Sequence, residues 1–202
     1  MADEQQPVRR HMQIHKPASL VKPGLAGEFD PVEVADGVTL ALAVSDPDRM
    51  EACLAEAFER GVSSFVVFAS ERSPQGLAFT VMPRLEKALA ELSQKGGRPF
   101  ALSGPLSLFD LTELFGEFGA VALCWEEARR LAPKVGQVMD GASRGLVVIG
   151  PVDGFDRAEA EALTSMGATA ATLGPKVLDV EDAVSQAVDQ AVGALARPGS
   201  GA

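Results

Sequence analysis

Two glycine-containing turns near the end of the chain have the composition of a small-ligand site. The first spans residues 150–155, with the sequence Gly-Pro-Val-Asp-Gly-Phe, and the second spans residues 173–178, with the sequence Leu-Gly-Pro-Lys-Val-Leu. Glycine lets a ligand approach the main chain closely, so backbone carbonyl and amide groups can recognise it. A single Gly-Pro pair often does no more than end a strand. Two matched turns, one helix apart, favour a binding crevice.

The segments around these turns predict a strand, a helix and a second strand. Residues 145–149 form a short, uncharged run typical of a buried strand, and residues 168–173 form another. Between them, Asp156 and Glu159 have the spacing of a capping box, and Gly167 can end the helix in a left-handed conformation. Such units place their strands parallel, and ligands bind beyond the carboxyl ends of those strands. Both turns lie at that edge.

The upstream sequence also alternates predicted strands and helices. Asp46 has the character of an N-cap and precedes a proline, and Ser107 with Asp110 predicts a second capped helix. A last helix over about residues 180–195 would begin after Asp179 as N-cap. Gly61 and the glycine pair at 96–97 end two helices, and strands are predicted at residues 38–44, 65–68, 100–102 and 121–123. The chain is therefore expected to form an α/β fold with a parallel sheet.

Several motifs occur in order along residues 38–193 and point to a family. They are Val-Thr-Leu-Ala-Leu-Ala from residue 38, Ala-Ser-Glu-Arg-Ser from 69, Pro-Leu-Ser-Leu from 105, Cys-Trp-Glu-Glu-Ala from 124, and the two glycine turns. In this order they resemble the catalytic domain of RsmE, a SPOUT-superfamily methyltransferase that modifies N3 of a uridine in small-subunit ribosomal RNA. The resemblance implies a SPOUT fold with a C-terminal trefoil knot, a homodimer, and S-adenosylmethionine held by the knotted loops.

The resemblance also implies the site residues. Glu181 is the one catalytic candidate, because it matches a position of a family motif. Acids in the first turn of a helix also complement the helix dipole by about 0.3–1 kcal/mol each, which explains Glu181 without catalysis. Trp125, the single tryptophan, is either a ligand contact or a packing anchor. The implied cofactor-binding residues are Leu123, Gly150, Pro151, Gly154, Leu173, Gly174 and Leu178.

Departures from the family pattern are concentrated on the substrate side. Val152 and Asp153 replace a glutamate and a glycine of the first turn, while Val180 and Asp182 replace threonines after the second. Asp179 stands where the resemblance implies an arginine that holds RNA phosphate or orients the uridine. An acid at that position repels phosphate instead of attracting it.

Charge and length also argue against direct RNA binding. The net charge is −10, from 18 basic and 28 acidic side chains, whereas proteins that bind RNA through phosphate normally present a basic surface. RsmE proteins carry an N-terminal barrel resembling a PUA domain, and residues 1–37 are too few for one. We expect a flexible tail at 1–37, a SPOUT-like domain at 38–196 and a frayed end at 197–202.

Several other classes of site and location are disfavoured. The chain has no run of about 18 apolar residues and no apolar core of a secretory signal. Cys53 and Cys124 are expected to be buried, reduced thiols. His11 and His15 have helical spacing, but no further ligand lies near them, so no metal site is predicted. These features predict a soluble protein of the cytoplasm or an organellar matrix that is not secreted.

Two functional hypotheses follow. The first is a divergent RsmE-like protein, weakly active or non-catalytic, that serves as a homodimeric assembly module in a larger protein or ribonucleoprotein complex and docks through its tail. The second is a ribosomal RNA uridine-N3 methyltransferase that uses S-adenosylmethionine and relies on a partner to bind RNA. In both hypotheses the main-chain crevice is retained while its surroundings have changed.

Overall fold

Six strands and six helices make up the part of the chain that the structure describes. A computed structural model describes residues 36–74, 76–96, 100–128 and 131–195. The strands are β1 Gly37–Ala43, β2 Ser64–Ala69, β3 Ala101–Ser107, β4 Ala120–Cys124, β5 Arg144–Ile149 and β6 Thr169–Ala171. The helices are α1 Pro47–Glu59, α2 Ala78–Gly96, α3 Leu108–Glu113, α4 Val135–Val138, α5 Arg157–Ser165 and α6 Val180–Leu195, with a 3-10 turn at Leu114–Glu117.

The strands form one parallel sheet, in the order β3-β2-β1-β5-β4-β6. The predicted parallel α/β sheet is therefore confirmed. β5 and β6 each precede one of the two glycine turns, and they are parallel as predicted. In the sheet, however, β4 lies between them and pairs with both. Three loops, rather than two, consequently meet at this end of the sheet.

Helices cover both faces of the sheet. Leu40 and Leu42 of β1 are fully buried in a core formed with α1, α2, α4 and α6, while Ala41 and Ala43 pack on the opposite face with α3 and α5. Successive side chains of a strand point to opposite faces, so uncharged strands such as β1 and β5 can contribute to both cores. This three-layer arrangement explains why those strands read as continuous apolar runs.

The predicted helix starts are confirmed by their hydrogen bonds. The Asp46 carboxylate accepts from two amides of the first turn of α1. Ser107 and Asp110 form a reciprocal capping box at α3, and Asp156 and Glu159 form one at α5. Gly167 follows α5 with φ +118°, the left-handed conformation expected of a glycine at this position. Local sequence thus fixes where these helices begin and end.

Some boundaries differ from the predictions. β6 covers three residues instead of the predicted 168–173, because Thr172 leaves the ladder and forms an isolated bridge with Lys134. Helix α4 was not predicted, since four residues carry no readable periodicity. Gly97, the tail at 1–35 and the end at 197–202 lie outside the described residues.

Helix α6 returns the chain to the middle of the sheet. It packs on α1, α4, β1 and β5, away from the edge strand β6 that precedes it. This return is consistent with the trefoil knot that the resemblance implies, and the threading itself stays a prediction. In the described part of the chain, no helix combines the length and apolarity needed to cross a bilayer.

A buried carboxylate joins the loop after β2 to the start of α5. Glu159 is 3% exposed. Its two oxygens accept hydrogen bonds from the Ser70 hydroxyl at 3.1 Å, the Glu71 amide at 2.7 Å and the Asp156 amide at 3.1 Å. A buried carboxylate persists only when its lone pairs are satisfied in this way. Glu159 therefore fixes the two loops against each other.

We expect Glu159→Ala to lower the free energy of unfolding by about 1.5–3 kcal/mol, because one buried and two partly buried hydrogen bonds lose a charged acceptor. The measurement is the urea midpoint at an unchanged m-value. Glu161→Ala is the matched control on the same helix: Glu161 is exposed, and its carboxylate forms an ion pair with Arg157 at 3.4 Å. Its loss should cost less than about 0.5 kcal/mol. Equal shifts for both variants would contradict the assigned role of Glu159.

Candidate functional site

A crevice open to solvent lies at the carboxyl ends of β4, β5 and β6. Its walls are Cys124 at the end of β4, residues 125–126 after it, residues 150–155 after β5 apart from Asp153, residues 172–178 after β6, and the start of α6. Ligands of parallel sheets bind at this edge. Six predicted cofactor-binding residues line it together, namely Gly150, Pro151, Gly154, Leu173, Gly174 and Leu178.

The first turn is shaped by packing as well as by access. Gly154 has φ +70°, and its amide donates to the Pro151 carbonyl at 2.8 Å, closing a tight turn. A Cβ on Gly150 would lie 2.8 Å from the ring of Phe155. That ring stacks on Phe68 in the core, with centroids 6.3 Å apart. Gly150 is therefore required by the packing beneath the crevice, independently of any ligand.

The second turn leaves its main chain open. Gly174 has φ +123°, and a Cβ placed on it would meet no atom within 4 Å. The Gly174 amide donates to the Thr172 hydroxyl of the same turn at 3.1 Å. Lys176 and Val177, at the tip of the turn, are exposed. Position 174 thus needs glycine for its backbone conformation. Because glycine has no side chain, the main chain of the second turn is uncovered on this wall of the crevice.

The end of β4 supplies Cys124, and the loop after it supplies Trp125 and Glu126. Trp125 is half-buried, lines the crevice and packs against the core under α5, so both of its predicted roles are compatible with its position. Burial raises the pKa of the Cys124 thiol to about 12. A protonated thiol is a poor nucleophile, so Cys124 forms part of the wall rather than reacting at neutral pH.

Glu126 is a crevice residue that the sequence did not single out. Its carboxylate lies directly against the first turn, so a Cβ on Gly154 would collide with it. Loss of solvent raises the pKa of Glu126 above its ordinary value; the Arg72 guanidinium works in the opposite direction, and Glu127 adds to the rise. The sequence signal that could have identified Glu126 is its position, because it follows the carboxyl end of a strand, where ligands of parallel sheets bind.

Arg72 braces the first turn from the loop after β2. Its guanidinium donates to the Asp153 carbonyl at 2.6 Å and lies 3.8 Å from the Asp156 carboxylate. Together with the Glu159 hydrogen bonds, these contacts fix the backbone of the turn from one side. The family-like segment at residues 69–73 therefore positions the crevice without lining it.

Two predicted site residues do not line the crevice. Leu123 is fully buried on the opposite face of β4, because strand side chains alternate, and its neighbour Cys124 reaches the crevice instead. Glu181 follows Val180 on α6, and one residue of helix turns its side chain about 100° away. Its carboxylate pairs with Arg49 of α1 at 3.1 Å. The structure thus places Glu181 in the contact between α1 and α6.

The acids around α6 have clear structural contacts. Asp179 accepts from the Asp182 amide at 2.9 Å, which confirms the predicted N-cap, and it is exposed beside the crevice. Among the described crevice-lining residues, Lys176 and Glu126 are the charged ones. No group of His, Cys, Asp or Glu suited to hold a metal ion occurs in the described part of the chain. His11 and His15 lie outside it.

The comparisons with known proteins agree with this architecture. A family model described as an RNA methyltransferase domain matches residues 33–191. A ribosomal RNA small subunit methyltransferase E of Mesomycoplasma hyopneumoniae (strain 232) is 26% identical over 156 residues, which cover 75% of this chain and 67% of that protein.

Two solved structures show the same fold. A ribosomal RNA small subunit methyltransferase E from Neisseria gonorrhoeae, bound to S-adenosyl methionine, superposes with a TM-score of 0.65 at 23% identity, covering 75% of this chain and 63% of that one. The A. aeolicus TrmH/SpoU tRNA modifying enzyme gives 0.51 at 13% identity, covering 80% of this chain and 77% of that one.

These likenesses confirm the predicted SPOUT-type fold and the resemblance to RsmE. This chain spans about two thirds of the length of the two ribosomal RNA methyltransferases. Because the family model runs from just before β1 into α6 and includes all three loops of the crevice, the chain belongs to the RNA methyltransferase domain family.

Proposed function

We propose that the crevice binds S-adenosylmethionine and that the chain by itself transfers methyl groups to RNA weakly or not at all. The observation that carries this proposal is a crevice with intact walls and acidic surroundings. The three loops converge at the edge of the sheet, yet Asp153 and Asp179 are exposed beside them. A relative of this fold was solved with S-adenosyl methionine bound.

The residues present suit this ligand. The crevice offers apolar surface from Ile149, Leu173 and Leu178 for a purine ring. The amides of Gly154 and Gly174 already donate within their own turns, so these glycines offer their main-chain carbonyls for polar contacts. Recognition through backbone groups tolerates changes of side chain, which agrees with the low sequence identity to relatives. When bound, S-adenosylmethionine supplies an electrophilic methyl group on a positively charged sulfur.

The same surroundings are poorly suited to RNA. Phosphate contacts dominate the affinity of proteins for nucleic acid, and they need Lys or Arg. Lys176 is the one cation among the described lining residues, and Arg72 is engaged with Asp153 and Asp156. Asp179 caps α6 and adds a negative charge. The negative charges raise the free energy of placing an RNA phosphate backbone at the crevice.

A non-catalytic role would be one of assembly. We propose a homodimer that forms part of a larger protein or ribonucleoprotein complex, with residues 1–37 as the docking segment. Support comes from charge: residues 1–24 carry four basic and two acidic side chains, whereas the remaining residues carry 14 basic and 26 acidic ones. A basic stretch ahead of an acidic domain is suited to an acidic partner surface.

The second candidate is a methyltransferase for uridine N3 of ribosomal RNA whose RNA binding is provided by a partner. The intact crevice favours it, because Gly174 leaves the second turn without a side chain over the wall that a ligand would contact. In this case a partner must offset the acidic surroundings. Activity that appears only with the partner would distinguish it from the assembly role.

Calorimetry with S-adenosylmethionine should give a micromolar dissociation constant for the intact chain, and Gly174→Ala should weaken it about tenfold. An alanine held at φ +123° is strained by about 1–2 kcal/mol, so the second turn relaxes to another shape. Gly141→Ala is the matched control: it also has positive φ and open space, but it precedes β5 at the opposite edge. Silence at millimolar ligand, or equal losses in both variants, would overturn the proposed site.

A labelled methyl-transfer assay on a small-subunit ribosomal RNA fragment should show background incorporation for the chain alone. In parallel, Asp179→Asn should strengthen non-specific RNA binding at low salt by up to about threefold, since asparagine keeps the cap and removes one repelling charge. Asp140→Asn removes the same charge before β5 and should leave binding unchanged. Stoichiometric methylation by the wild-type chain alone would contradict the proposed loss of activity.

A further inference from the structure

We propose that the Glu126 carboxylate is an anionic subsite of the crevice and binds a cationic group of the ligand. This inference rests on the proposed binding of S-adenosylmethionine, which carries two cations, an ammonium and a sulfonium. It assigns a ligand contact to a side chain, whereas the remaining walls offer mainly main chain and apolar surface.

The position of Glu126 is the first support. It lies on the loop after β4, between the two glycine turns, because β4 separates β5 from β6 in the sheet. Its carboxylate rests on Gly154, where any larger residue would displace it. A ligand that contacts the main chain of the first turn therefore comes within reach of this carboxylate.

The second support is that the carboxylate lacks a close partner. Within residues 36–74, 76–96, 100–128 and 131–195, no side chain donates a hydrogen bond to Glu126 or forms an ion pair with it within 4 Å. Among the described residues, Arg72 is the cation that acts on Glu126, but its guanidinium is directed to the Asp153 carbonyl and the Asp156 carboxylate. Arg72 acts on Glu126 only through its longer-range field.

The third support is the environment of the carboxylate. Loss of solvent raises the pKa of Glu126, so its ionised form is less well hydrated here than in free solution. A cation placed beside it restores a favourable interaction and lowers that pKa. The neighbouring Glu127 adds negative potential at the same place without lining the crevice. The region therefore favours positive charge.

An ordinary solvated surface glutamate would behave differently. It would turn freely and show no dependence on the ligand's charge. Glu126 is exposed, but its carboxylate lies against Gly154 in the wall of the crevice, where a bound ligand would meet it. The distinction is measurable, because removing an anionic subsite lowers the affinity for cationic ligands and leaves the affinity for neutral ligands unaltered.

The test is calorimetry on wild-type chain, Glu126→Gln and Glu127→Gln with three ligands. S-adenosylmethionine has both cations, S-adenosylhomocysteine keeps the ammonium alone, and 5′-methylthioadenosine has neither. We expect Glu126→Gln to weaken S-adenosylmethionine by about three- to tenfold and to leave 5′-methylthioadenosine unchanged. Glu127→Gln is the matched control and should change none of the three by more than about twofold.

The three ligands distinguish the sulfonium from the ammonium, and the outcomes distinguish the proposed subsite from the proposed function. A loss confined to S-adenosylmethionine assigns the subsite to the sulfonium, and an equal loss for S-adenosylhomocysteine assigns it to the ammonium. Unchanged affinity of Glu126→Gln for both ligands would overturn this inference while leaving the proposed function intact. If the wild-type chain binds none of the ligands, both proposals fail. Equal melting temperatures of the three proteins establish that the variants are folded.

Discussion

The candidate site depends on one constraint, the pairing of β4 with both β5 and β6 in a parallel sheet. Parallel pairing brings three carboxyl ends to the same edge, and each strand is followed by a loop that lines the crevice. If β6 had paired with β5, the loop after β4 would lie outside the two glycine turns. Trp125 and Glu126 would then have no contact with the crevice.

The crevice is held by contacts that lie outside it. Glu159 and Arg72 connect the first turn to the loop after β2, and Phe155 anchors the turn in the core through Phe68. These interactions need particular side chains, whereas the walls themselves are largely backbone. This division is consistent with a SPOUT-type fold at 23% identity to a methyltransferase, because walls made of backbone do not depend on particular side chains.

Acidic charge surrounds the crevice, whereas proteins that bind RNA through phosphate normally present a basic surface. Asp179 caps α6 and also adds a negative charge beside the crevice. Glu126 adds a second acid, inside the wall. In our proposal these acids favour a small cationic ligand and disfavour a phosphate backbone, so ligand binding and RNA binding are separated.

The sequence by itself determined the helix caps at Asp46, Ser107 and Asp156, the parallel α/β class, and six residues of the crevice, because caps, apolar runs and glycine turns are local signals. Motif order also led to the correct family. Only the tertiary structure decided that Leu123 and Glu181 face away, that Glu126 faces in, and that Glu159 braces two loops. Those outcomes depend on strand order and on the rotation of α6 against α1. Both bring together residues that are far apart in the chain, so neither produces a periodic pattern in the sequence.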